Sequence, residues 1–193
     1  MSESRAADFR GFTRKAVEEI DAALGMVHPD NVETLVGLCA DHPRIFLAGV
    51  GREGLVTRAF AMRLMHLGKS VHWIWDDTTP SLIPGDLLIC TSGDGAIGHL
   101  DYVCRRAREA GAYVHLVTGS RLGVTAHEVA DSVTFVPAQV YRGKDEVVSS
   151  QQIMGSLFEQ TALILFDCVV QVLAQEFTSS ELALVVQRHR NVE

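Results

Sequence analysis

Four short loops hold side chains suited to chemistry. The first, Gly49-Val50-Gly51-Arg52-Glu53-Gly54, fits a GxGxxG pattern. Between a strand and a helix, such a loop turns backbone N–H groups toward a phosphate. Asp76 lies 22 residues beyond Gly54, where a dinucleotide fingerprint has its ribose-binding acid. Glu53 argues against a pyrophosphate, because it sets like charge at the loop. The chain also lacks a second nucleotide-binding half. The second loop is Asp76-Asp77-Thr78-Thr79-Pro80. The third, Thr91-Ser92-Gly93-Asp94-Gly95, offers hydroxyls and N–H groups to an anion. Ser92 and Asp94 could equally cap the following helix, a role worth ~1 kcal/mol. The fourth is Gly119-Ser120-Arg121.

These loops need a frame that brings them to one edge. Short, nearly continuous apolar runs at 44–50, 71–75, 86–91, 113–118 and 132–137 read as buried parallel strands. Helical patterns at 55–67, 97–110 and 124–130 alternate with them, and Gly68 and Gly111 stand where helices should end. Alternation of this kind predicts an α/β fold, three-layer αβα, with ligands at the carboxyl ends of the strands. Helices are expected at 6–26, 31–40, 151–177 and 179–188. The 151–177 helix is apolar almost all round and needs cover on every side. A chain this small can hardly supply that, so a homo-oligomer is expected. Asp167 within it should pair, since an unpaired buried carboxylate is costly. Met62 and Met65 read as core.

The chain has 193 residues, 47% hydrophobic and 21% charged, which excludes a disordered protein. A single domain is expected over 1–193: N-terminal helices at 1–40, an α/β core at 44–137 and oligomerisation helices at 151–193. Its formal net charge is −7, which disfavours nucleic acid and anionic membranes as partners. Cys39, Cys90, Cys104 and Cys168 form no CxxC or zinc-type spacing, so no metal is expected. Cys90 and Cys168 read as buried free thiols, suited to a reducing cytosol. The N-terminal stretch has no apolar signal region, and the most apolar stretch, 161–174, is short for a membrane span. A cytoplasmic protein is the expectation.

Four collinear pieces resemble one family. GVGREGLVTRAFAMRLMHLG (49–68) resembles the first loop and helix of the 6-phospho-3-hexuloisomerases, which have the sugar isomerase (SIS) fold. DDTTPSLIPGDLLICTSGDG (76–95), MGSLFEQTALILFDCVV (154–170) and the RHRNVE ending (188–193) are similar to later segments of that family. The resemblance implies a five-stranded parallel sheet, a flavodoxin-like arrangement, and assembly as a tetramer or dimer. It implies interconversion of 3-hexulose 6-phosphate and fructose 6-phosphate through an enediol, with no cofactor. It also implies roles for particular residues. Glu159 matches the family's helix glutamate and would be the base, its pKa moved toward neutrality by partial burial. His189 matches the C-terminal histidine and would handle a hydroxyl proton or ring opening. His66 is shared with the family as a substrate contact or a packing residue. In such isomerases some of these groups come from a neighbouring subunit.

The chain departs from the family at the phosphate-handling loops. GRSG is here Gly51-Arg52-Glu53-Gly54, and SGSGET is Ser92-Gly93-Asp94-Gly95-Ala96-Ile97. Two added carboxylates repel a phosphate by a few kcal/mol at short range and effective ε ~20. Three readings follow. In a phosphosugar isomerase, Thr91, Ser92, Ser120, Arg121 and backbone N–H groups hold the phosphate. In an isomerase of an unphosphorylated or amino sugar, Glu53 and Asp94 accept hydrogen bonds from the substrate. In a non-catalytic SIS-fold sensor, the site binds a sugar without turning it over.

Overall fold

The computed structural model describes residues 2–142 and 145–189. Five strands form one sheet: β1 (Arg44–Gly49), β2 (Ser70–Trp73), β3 (Leu87–Thr91), β4 (Tyr113–Thr118) and β5 (Ser132–Phe135). Their order is β2-β1-β3-β4-β5, and every pair is parallel. Gly49 lies beside Thr91, and Thr91 beside Val117, so the loops after β1, β3 and β4 leave the sheet together. Strand order reverses between β1 and β3, which opens a crevice at that edge.

The described residues form seven helices: α1 (Ser2–Gly25), α2 (Pro29–Asp41), α3 (Gly51–His66), α4 (Gly98–Glu109), α5 (Val124–Glu128), α6 (Ser156–Ala174) and α7 (Ser179–Gln187). Alternate strand residues face opposite layers. Ile45, Leu47, Leu87 and Ile89 pack with Phe60 and Leu64 of α3 and with Phe158, Leu165 and Phe166 of α6. Phe46, Ala48, Leu88 and Cys90 pack with Leu100, Cys104 and Ala107 of α4. The predicted αβα sandwich is therefore present. Gly68 and Gly111 take φ of 94° and 85° and end α3 and α4, as their positions predict.

Three expectations need correction. The predicted helix over 151–177 is shorter, Ser156–Ala174. Glu19 of α1, only 3% exposed, diverts its first residues. Its carboxylate accepts from Ser150 Oγ at 2.6 Å, Gln151 N–H at 3.0 Å and the Gln152 amide at 3.2 Å. Met154 then takes a left-handed φ of 58°. Met62 and Met65 are exposed rather than core, because α3 turns that face away from the sheet. Asp167 and Cys168 are exposed on the outer face of α6, so neither is buried.

α6 is long and apolar enough to cross a membrane by length and composition, with a mean hydropathy of 1.6. Its inner face is core, however. Leu157, Phe158, Ala162, Phe166 and Val169 are buried, and Phe166 stacks on Phe60 with ring centres 4.4 Å apart. Its outer face leaves Leu163, Ile164 and Val172 37–40% exposed.

Candidate active site

The loop after β1 is tightly built. Gly51 has a φ of 57°, and a Cβ on Gly54 would meet the Gly49 carbonyl oxygen at 2.6 Å. The helix can start against the strand end only because these positions carry no side chain. Arg52 and Glu53 then project from the first turn of α3. Arg52 donates to Glu159 Oε2 at 2.6 Å and to Ser156 Oγ at 3.0 Å. Glu159 is in the first turn of α6, its side chain 14% exposed. Arg52 thus ties α3 to the start of α6.

Glu53 turns the other way, across the crevice. Its Oε2 accepts from the Gly93 N–H at 3.0 Å, joining the β1 loop to the β3 loop. Burial pushes the Glu53 pKa up to about 7. The Gly93 bond opposes that rise, and the charges of Asp94 and Glu159 add to it. Asp94 is half-buried, and its Oδ1 accepts from the Ala96 N–H at 3.1 Å. Neither Asp94 nor Ser92 caps α4, whose N-cap is Ile97. The hydroxyls of Thr91 and Ser92 are buried with no hydrogen-bond partner among the described residues.

A cavity of about 250 Å³ opens here, lined by Glu53, Asp94, Ile97, Val140, Tyr141 and Arg142. It offers two carboxylates to accept hydrogen bonds from hydroxyl groups, and one cation. Arg142 and Tyr141 were not singled out by the sequence reading, since nothing local marks them within a polar loop. Ser156 was missed for the same reason: its partner is 104 residues away.

The fourth loop is joined to this edge by Thr118, whose hydroxyl donates to the Gly93 carbonyl at 3.1 Å. Ser120 is engaged elsewhere. Its hydroxyl donates to Asp145 Oδ2 at 2.7 Å, and the Arg121 N–H donates to Asp145 Oδ1 at 3.1 Å.

His66 and His189 lie apart from these residues. α3 runs from the site edge to the opposite edge, so His66 is about 20 Å from Glu53 at 1.5 Å per residue. The two histidine rings face each other at 5.4 Å. They line a larger groove of about 470 Å³ with Arg58, Met62, Trp73 and Asp76. Burial lowers the His66 pKa, helped by Arg63 and His189. One chain therefore gathers Gly51, Arg52, Glu53, Gly93, Asp94 and Glu159 at one edge and keeps both histidines at the other. The last four residues of the RHRNVE ending lie outside the described residues. Among the described residues, no group of three or more His, Cys, Asp or Glu could hold a metal ion.

Comparison with known proteins gives this edge its context. The 3-hexulose-6-phosphate isomerase of Mycobacterium gastri is 36% identical over 176 residues, covering 91% of this chain and 87% of that protein. This chain belongs to the 3-hexulose-6-phosphate isomerase family. The family's Bacillus subtilis member is 30% identical, covering 86% of this chain and 89% of its own. A solved structure from Methanococcus jannaschii, for which the function of 3-hexulose-6-phosphate isomerase was inferred, superposes with a TM-score of 0.77. It is 27% identical and covers 94% of this chain and 98% of its own. No family model matches the chain.

Proposed function

We propose that this chain interconverts 3-hexulose 6-phosphate and fructose 6-phosphate. The observation that carries this reading is Glu159, mostly buried, held by Arg52 beside the crevice where the β1 and β3 loops meet. Glu159 removes the proton from the carbon next to the ketone and returns it to the neighbouring carbon of the enediol. The hydroxyl proton crosses between the two oxygens in the same step sequence. The Arg52 guanidinium keeps the carboxylate in one orientation. Arg142 and the buried edge of the β3 loop receive the phosphate, with Thr91, Ser92 and Gly93 as the neighbouring groups. None of this chemistry calls for a metal or an organic cofactor.

The site is completed by a second copy. His66 and His189 stand too far from Glu159 in one chain to share a substrate with it, and the exposed apolar stripe of α6 suits contact between copies. We assign the chain as one SIS domain over 1–193, assembled as a tetramer or dimer. Buried free thiols at Cys39, Cys90 and Cys104 suit a reducing, cytoplasmic setting.

A second reading is an isomerase of an unphosphorylated or amino sugar, favoured by the Glu53 carboxylate on the Gly93 amide. One experiment tests both. The protein is incubated in D2O with fructose 6-phosphate or free fructose, beside Glu159→Gln. Deuterium entering C3 of the phosphosugar and lost in the variant supports the first reading. Exchange into free fructose alone supports the second. Exchange that survives in Glu159→Gln removes Glu159 as the base.

A further inference from the structure

Glu53 occupies a donor that an anionic substrate needs. Its carboxylate holds the Gly93 N–H from 40 residues away in sequence. A Cβ placed on Gly93 would collide with Glu53 Oε1, so the carboxylate lies directly against the loop backbone. The cavity alongside is lined by Glu53, Asp94 and Arg142. A phosphoryl group entering that cavity meets the Glu53 carboxylate where it would take the amide.

We propose that Glu53 is a resident anion of the β3 loop, and that a phosphosugar takes its place only as Glu53 gains a proton from solvent. This inference rests on the phosphosugar reading above. Binding is then a three-part exchange: the carboxylate and a proton give a neutral carboxyl group, the Gly93 N–H is released, and the phosphate dianion accepts it. The neutral carboxyl can donate its own hydrogen to a phosphate oxygen. No covalent bond is made or broken.

The groups around Glu53 suit such an exchange. Asp94 and Glu159 face it with like charge from the β3 loop and α6. Cys90 lies beneath on β3, a buried thiol whose pKa is raised by its contact with Cys104 and by burial. Arg52, its neighbour in sequence, is committed to Glu159 and Ser156. Tyr141 and Arg142 line the far wall. Burial already sets Glu53 to titrate at about 7, so the proton is gained and lost within the working range. The second ionisation of a phosphate monoester is near ~6, so between pH 7 and 9 the ligand stays a dianion and Glu53 is the group that changes.

The test is calorimetric titration of fructose 6-phosphate into the protein at pH 6, 7, 8 and 9, beside Glu53→Gln and Glu53→Ser. Affinity of the unaltered protein should fall toward ~10-fold per pH unit above 7. Glu53→Gln, the same size as neutral Glu, should bind with no such fall and more tightly at pH 9. Parallel pH profiles in all three proteins overturn the proposal, and so does weaker binding by both variants at pH 9. Binding as described without deuterium exchange leaves Glu53 in this role and removes the isomerase reading. No binding to any of the three proteins at pH 6 removes both.

Discussion

The guanidinium of Arg52 and the carboxylate of Glu159 meet at 2.6 Å, 107 residues apart in sequence. The pair closes the first turn of α3 onto the first turn of α6. Replacing Glu159 with Gln keeps the shape and a hydrogen-bond acceptor for Arg52. Turnover should fall at least ~100-fold, as expected when a general acid–base group is lost. Circular dichroism and the unfolding temperature should stay close to those of the parent.

Arg52→Ala should separate positioning from stability. Arg52 is about half exposed and Glu159 14% exposed, so solvent screens the pair from one side and it contributes on the order of 1 kcal/mol to folding. Urea unfolding should therefore change little. The loss should appear in kcat, because Glu159 is no longer held. A large loss of stability with unchanged kcat would remove the positioning role.

Glu53→Gln should stabilise the free protein at high pH. The folded-state pKa of Glu53, about 7, lies above its unfolded value of ~4.3. The folded protein thus binds the extra proton between these values, and its stability falls as pH rises through that window. Above pH 7 the whole cost is present, on the order of 1–3 kcal/mol after allowing for partial exposure. The variant should lack this slope in denaturant titrations from pH 5 to 8.

His115 predicts a different acid limb. It is buried on β4 between the hydroxyls of Ser132 at 2.7 Å and Thr134 at 2.9 Å. Burial lowers its pKa to about 4. The unfolded chain, with histidine near ~6.5, binds more protons in this range, so stability falls as pH drops from ~6.5 to 4. His115→Gln keeps both hydroxyl partners and should flatten that limb.

Gly93→Ala should be destabilising through a named clash. The new methyl would meet Glu53, Val140 at 3.1 Å and Phe158 at 3.3 Å. Overpacking of this kind costs ~1–3 kcal/mol. Combining it with Glu53→Ser should recover part of the loss, with a coupling of at least ~0.5 kcal/mol in a double-mutant cycle. Strict additivity would place Glu53 away from the Gly93 backbone.

The sheet was legible because its strands are continuous apolar runs punctuated by loops, and Gly68 and Gly111 mark helix ends by backbone need alone. Glu53 and Asp94 stood out because they replace hydroxyls in a recognisable pattern. The start of α6 was not legible, since a buried carboxylate from α1 overrides the helical pattern of 151–155. The exposure of Met62 and Met65 follows from which face of α3 meets the sheet, and local sequence does not encode it. Arg142 and Ser156 were hidden because each matters only through residues far along the chain. The separation of His66 from Glu53 is the plain length of one helix, yet a motif spanning both obscures it.

The glycine framework of the β1 loop has an evolutionary corollary. Gly49, Gly51 and Gly54 are fixed by backbone crowding or a left-handed turn, so the loop cannot diversify there without losing its shape. Arg52 is tied to Glu159, which leaves Glu53 as the side chain that can vary on this turn. Changes in substrate preference within this crevice can therefore arise by exchanging one side chain on a constant scaffold. A small library at position 53 would explore much of that chemistry without disturbing the fold or the Arg52–Glu159 pair.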